Sequence, residues 1–191
     1  MASRTSCRSC SVGVSITVKG NSRYNYDLRH EVAAKAVRGT AVGDAFGGVL
    51  VENDDPMPTV TVTPVADSVT EGQKLTWKVE LSQPADTNIE TRFDLLPVRE
   101  GTELSTKDVD EEWLSELGEA ADPERPLSTD SPSLWVSVPK GETSTEVSVP
   151  TVTDALTESE ESLRMQVYIL KEDEWLEGPL LTGKVTDARQ G

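Results

Sequence analysis

From Thr59 onward, apolar and polar residues alternate with a period of two, in short runs separated by turn residues. Thr59–Thr63 places Val60 and Val62 on one face. Leu75, Trp77, Val79 and Leu81 face one way in the next run, with Thr76, Lys78 and Glu80 opposite. Ile89–Leu95 turns Phe93 inward. Leu134–Val138 and Thr145–Val149 flank the turn Pro139-Lys140-Gly141-Glu142. Leu163, Met165, Val167 and Ile169 alternate with Arg164, Gln166 and Tyr168, and Leu180–Val185 forms a last run. Period-two runs broken by Gly, Pro, Asn and Asp at this spacing predict an antiparallel β-sandwich. Asp110–Ala121 breaks the pattern. Trp113, Leu114 and Leu117 share one helical face, so a short amphipathic helix is expected in an insertion, followed by a Pro/Ser/Asp loop over Asp122–Ser133.

The first part of the chain is less regular. Residues 1–11 are expected to form a flexible arm. Val12–Val18 and Tyr24–Arg29 read as strands. Glu31–Val37 is Ala-rich and suits a short helix or a loop, Gly39–Gly48 a loop, and Gly48–Val51 a short strand. Pro56 and Pro58 stop regular structure, which puts a boundary near Asp55 and gives segments 1–11, 12–55 and 56–191.

Composition narrows the function classes. The 191 residues carry a net charge of −16, unevenly spread. Residues 1–50 hold seven Lys/Arg against three Asp/Glu, and the rest eleven against thirty-one. Nucleic acid and anionic membrane surfaces need positive charge, so neither is expected as a partner. No apolar run is long enough to span a bilayer. No apolar stretch follows Arg4 and Arg8, so no secretory signal is expected. The cysteines are Cys7 and Cys10. A zinc site would need further ligands, and His30 is the only histidine, so two thiols in a flexible end is the simpler reading. There is no Ser/His/Asp set and no phosphate loop, and paired carboxylates alone lack the aromatic cleft of a glycosidase. Trp77, Trp113, Trp135 and Trp175 read as core or insertion residues. No enzyme is expected.

The chemically loaded stretch is Thr151–Leu170, where Asp154, Glu158 and Glu161 follow D-x3-E-x2-E and lead into an alternating strand. A carboxylate cluster at the mouth of a half-buried strand is either a solvated turn, with acids capping backbone N–H groups, or a cation site. Like charges gathered without a counter-ion cost stability, so both readings stay open on the residues alone.

In order along the chain come Asp54-Asp55-Pro56 before TVTVTP, Val69–Gly72 before LTWKVELSQP, Gly101-Thr102 before STKD, LWVSVPKGETSTEVSVP, the D-x3-E-x2-E turn and Thr182–Asp187. This series, over about residues 56–187, resembles the Calx-β domain family. Residues 39–56 resemble the end of a preceding repeat, so 12–55 is either a partial repeat or an accessory β segment. The resemblance implies an immunoglobulin-like sandwich that holds calcium at one end. Its ligands would be Glu71, Asp108 (with Asp110 as a near alternative), Asp154, Glu158, Glu161 and Asp187. Where multi-ion members close on a run of aspartates, this chain has only Asp187, and Lys107 beside Asp108 repels cations, so one site at most is expected. The function implied is a non-enzymatic structural or adhesive module of a surface or extracellular assembly, stabilised by calcium. Its partners would be neighbouring repeats, another protein or further copies of itself. A structural or decoration protein of a virion or other particle and a calcium-sensing regulatory module are the alternatives.

Overall fold

The computed structural model describes residues 15–34, 45–155 and 157–188. Two compact units divide the chain. One comprises Met1–Ser22 and Leu28–Val51, the other Arg23–Asp27 and Glu52–Gly191.

The smaller unit contains an antiparallel pair, β1 (Leu28–Ala34) and β2 (Ala45–Val51), in register from Leu28 opposite Val51 to Ala34 opposite Ala45. Two expectations are corrected here. The Ala-rich stretch is strand as far as Ala34, because ladder pairing with β2 overrides the helical preference of alanine. Tyr24–Asp27 is not strand. Tyr24 is instead buried in the larger unit, where its carbonyl accepts the Asp86 N–H at 2.8 Å. Ser15–Val18 is likewise irregular, and residues 45–48 of the expected glycine loop are strand in β2. The rest of the strand expected over Val12–Val18 lies outside the described residues, as do the arm 1–11, Cys7, Cys10, residues 35–37 of the Ala-rich stretch and residues 39–44 of the glycine loop.

The larger unit is an immunoglobulin-like β-sandwich with a short helical insertion. Its strands are β3 (Val60–Ala66), β4 (Ser68–Thr70), β5 (Lys74–Leu81), β6 (Ile89–Leu95), β7 (Thr102–Glu103), β8 (Ser133–Val138), β9 (Ser144–Pro150), β10 (Glu161–Lys171) and β11 (Glu174–Thr186). One sheet runs β3-β5-β9. The other runs β4-β11-β10-β6-β8, with β7 beside β10. The alternation decides what lies between them. Leu75, Trp77 and Val79 of β5 face Phe93 and Leu95 of β6 and Leu163, Met165 and Val167 of β10 in one buried core. The sheets close tightly at Gly183, where a Cβ would sit 2.9 Å from Leu75 Cδ1 and 3.2 Å from Trp77 Cη2.

Strand β11 starts six residues before the expected Leu180, since Gly178-Pro179 resembles a break. The break is a bulge. The register with β10 shifts between Gln166 and Tyr168, which is where a proline without an N–H is tolerated. The buried Gln166 amide serves the irregular backbone, donating from Nε2 to the Gly178 carbonyl at 2.8 Å and the Val167 carbonyl at 3.1 Å. The insertion folds as α1 (Glu111–Glu116), whose buried Leu114 and partly buried Trp113 and Leu117 pack on the core.

Candidate metal centre

The acidic residues meet at one end of the sandwich because backbone hydrogen bonds stitch the loops that carry them. Glu71 follows β4, and its N–H donates to the Thr186 carbonyl at the end of β11 (3.0 Å). Thr151 donates both its N–H (2.9 Å) and its hydroxyl (2.7 Å) to the Gln73 carbonyl. Val152 donates its N–H to the Asp108 carbonyl (2.9 Å), and Val109 bridges Thr151. The turns at 71–73, 105–110 and 151–154 are thereby held side by side. Gly72 lets the 71–73 turn approach the 151–154 turn. Its φ is +80°, and a Cβ there would collide with Thr153 Oγ1.

Carboxylate oxygens of Asp108, Glu158 and Glu161 lie within 4.8 Å of one another. Glu161 opens β10 opposite Val185 and beside Thr102, and is only 8% exposed. Burial pushes its carboxyl up to about 8, helped by the charges of Asp108, Glu158 and Glu71 and by a hydrogen bond shared with Asp108. Burial also raises Glu71, followed by the charges of Asp187, Asp154 and Asp108, while the Ala188 N–H partly offsets this. Glu158 is raised by burial and then by Asp108, Asp154, Glu71 and Glu124. Asp187 is 4% exposed, and its Oδ2 accepts the Glu158 N–H at 3.3 Å. Every carboxylate in the expected set therefore belongs to one electrostatic neighbourhood.

Two details refine that set. Asp110, the near alternative to Asp108, is engaged elsewhere: it caps α1, accepting the Trp113 N–H at 3.0 Å on Oδ1. Asp108 accepts the Ser105 N–H at 2.7 Å on Oδ2, which orients it toward the cluster. Lys107 does not neutralise the site. Its Nζ pairs with Asp122 at 2.5 Å. Glu124, in the loop after α1, adds to the negative field at Glu158, and no local pattern in the sequence marks it.

The donor set is all oxygen and all carboxylate, which suits a hard cation such as calcium over zinc or copper. Ligands on opposite sides of a calcium ion stand about 4.6–5.2 Å apart, given metal–oxygen distances of about 2.3–2.6 Å. Oxygens no farther than 4.8 Å from one another are close enough to share one such ion. Among the described residues, no helix is long and apolar enough to cross a membrane.

A second group of residues departs from expectation. Trp77 is core and Trp113 belongs to the insertion, but Trp135 and Trp175 do neither job. Leu134 and Val138 of β8 are buried, so alternation turns Trp135 outward, and it is 64% exposed.

No protein-family model matches the chain, and no curated protein does either. Among solved structures it is similar to the apo-form Calx CBD1 domain, with a TM-score of 0.43 and 12% identity over 67% of this chain and 96% of that one. It is also similar to the calcium-binding domain CBD12 of CALX1.1, with a TM-score of 0.43 and 14% identity over 66% of this chain and 44% of that one.

Proposed function

We propose that the larger unit is a non-enzymatic calcium-binding module, in which one ion ties together the loops at the acidic end of the sandwich. The observation that carries this reading is the convergence of Asp108, Glu158 and Glu161 within 4.8 Å around a buried carboxyl that holds its proton up to about pH 8. Charges are gathered there at a cost to the fold, and a divalent cation removes that cost. Asp108, Glu158 and Glu161 would hold the ion, with Glu71 and Asp187 at its margin and Asp154 on the exposed side. The ion supplies charge neutralisation and cross-linking.

The same geometry supports calcium-dependent regulation over a passive spacer. Loops after β4 and β9, before α1 and at both ends of the β10–β11 hairpin's open side all change their mutual repulsion when the ion binds. In a larger assembly, that end would stiffen toward whatever adjoins it. Calcium titration calorimetry on the full chain, repeated on Glu158→Gln, tests the proposal. Heat in the wild type that is lost in the variant supports it. Absence of heat and of any melting shift at millimolar calcium removes it.

A further inference from the structure

The outer face of the large sheet carries an aromatic and acidic surface that the metal centre does not use. All of its residues belong to the larger unit. One row crosses four strands: Glu177 of β11 opposite Tyr168 of β10, Tyr168 opposite Arg92 of β6, and Arg92 opposite Trp135 of β8. Trp175 joins from the start of β11. The Arg92 guanidinium carbon lies 4.8 Å from the Tyr168 ring, 5.0 Å from Trp175 and 5.8 Å from Trp135. Trp135 and Trp175 meet edge to face at 5.4 Å. The charge of Arg92 is already matched. Its Nε lies 2.8 Å from Asp94 Oδ1, off the hydrogen-bonding line, and Nη2 donates to Asp94 Oδ2 at 3.1 Å. Glu90 and Glu177 remain on this face as carboxylates in excess.

At the β10–β11 turn this face continues into an open cleft of about 570 Å³, lined by Tyr24, Tyr26, Asp27, Glu52, Glu172 and Asp173. Tyr24 and Tyr26 stand nearly perpendicular, at 72° with centroids 5.9 Å apart. Glu90 joins the two regions. It accepts the Ser137 hydroxyl at 3.0 Å on the strand face, and its charge bears on Tyr26, whose phenol is raised by burial and then by Glu90 and Asp173.

The exposed rings here are Trp135 and Tyr26, and such faces with carboxylates beside them are suited to cations that stack, guanidinium best because it is planar and weakly hydrated. Arg92 shows that these rings accept a guanidinium. The charge is complementary as well, since the chain carries −16 overall, and Glu90, Glu177, Asp27, Glu52, Glu172 and Asp173 outnumber the paired Arg92 and the exposed Lys171 at the β10–β11 turn. We propose that this face and cleft form a docking site for an arginine-bearing segment of a protein partner, with one guanidinium stacking on the open side of Trp135 and another seated among the cleft carboxylates.

The test uses hexa-arginine peptide on the full chain, read by tryptophan fluorescence and calorimetry, with hexa-lysine and a neutral chitin hexasaccharide as comparison ligands. Hexa-arginine is expected to bind more tightly than hexa-lysine and to lose about tenfold in affinity with Trp135→Ala, the loss of one desolvated cation–π contact. Glu172→Gln with Asp173→Asn should weaken it comparably. Trp135 is exposed, so its alanine variant keeps the fold, checked by an unchanged melting temperature. The proposal is overturned if Trp135→Ala binds the peptide as tightly as wild type. It is also overturned if affinity falls only in Glu158→Gln, which places the peptide at the metal centre, or if the hexasaccharide binds through Trp135 and the peptide does not.

Discussion

Glu161→Gln should make the calcium-free protein more stable at alkaline pH, the reverse of what removing a buried charged residue usually does. The Glu161 carboxyl is pushed from 4.5 to about 8, so between those values the folded chain holds a proton that the unfolded chain has released. A carboxyl raised in this way contributes stability that is fully present below about pH 4.5 and is lost as pH climbs through about 8. At about 1.4 kcal/mol per pH unit, the whole gap corresponds to roughly 5 kcal/mol. Solvent reaching the neighbouring half-buried acids reduces this, and about 3 kcal/mol is the working expectation at pH 8. For a domain of this size that is roughly 10 °C in Tm. Glutamine keeps the shape of the protonated acid and cannot ionise. In chelator, the two proteins should therefore melt together near pH 4.5 and separate as pH rises, with the variant higher at pH 8. Added calcium should reverse the order, raising the wild type and leaving the variant nearly unmoved. Scanning calorimetry from pH 4.5 to 8.5, with chelator and with millimolar calcium, reads both effects. Parallel Tm curves in chelator, or a full calcium response in Glu161→Gln, would refute the reasoning.

Other outcomes separate the site from its scaffold. Asp110→Ala should cost about 1 kcal/mol through loss of the α1 cap and leave calcium heat unchanged, whereas Asp108→Asn should abolish the heat at little cost in chelator; equal calcium heats in the two variants would contradict their assigned roles. Gly72→Ala forces an alanine to a φ of +80° against Thr153, so chemical denaturation should show a loss of about 1–2 kcal/mol together with weaker calcium binding. Trp77→Ala removes the largest fully buried side chain and should cost about 3–5 kcal/mol, seen as a lower denaturant midpoint with or without calcium.

Much of the sandwich is legible in the sequence because its strands are half buried. Ile89–Leu95 alternates buried and partly buried residues without a break, and the pattern alone supplies its limits and its inner face. The misses share a cause: pairing decided by a distant partner. Leu28–Ala34 is strand because β2 lies beside it, and nothing local in an Ala-rich run reveals that. Strand β11 hides its first half behind Gly178-Pro179, whose bulge is made tolerable by the side chain of Gln166 on the neighbouring strand. The turn before it is no clearer, since Glu172 and Asp173 take φ of 49° and 66°, conformations that hairpins usually give to Asn or Gly. Trp135 shows the same limit in another form. Its parity already points it outward, but only the stacking of Arg92 across two strands explains why a large indole sits there.

The acidic end shows why a site of this kind is harder to read than the fold that carries it. Asp154, Glu158 and Glu161 form a local pattern, yet Asp154 is the most exposed of them, and Glu161 depends most on residues far away in sequence. Its burial, the main cause of its raised carboxyl, accompanies pairing with Val185 and Thr102, and the largest neighbouring charge on it is that of Asp108. Spacing within one turn cannot supply either. What joins the parts is backbone: Thr151 to Gln73, Val152 to Asp108, Glu71 to Thr186. Two of the acids add to this stitching, since Asp108 Oδ2 accepts the Ser105 N–H at 2.7 Å and Asp187 Oδ2 accepts the Glu158 N–H at 3.3 Å. Gathering these carboxylates costs the fold stability through burial and mutual repulsion, and a cation bound among them would offset that cost. The chelator arm of the Glu161→Gln experiment measures the combined cost of burying that carboxyl and crowding it with other charges, and the calcium arm measures its relief.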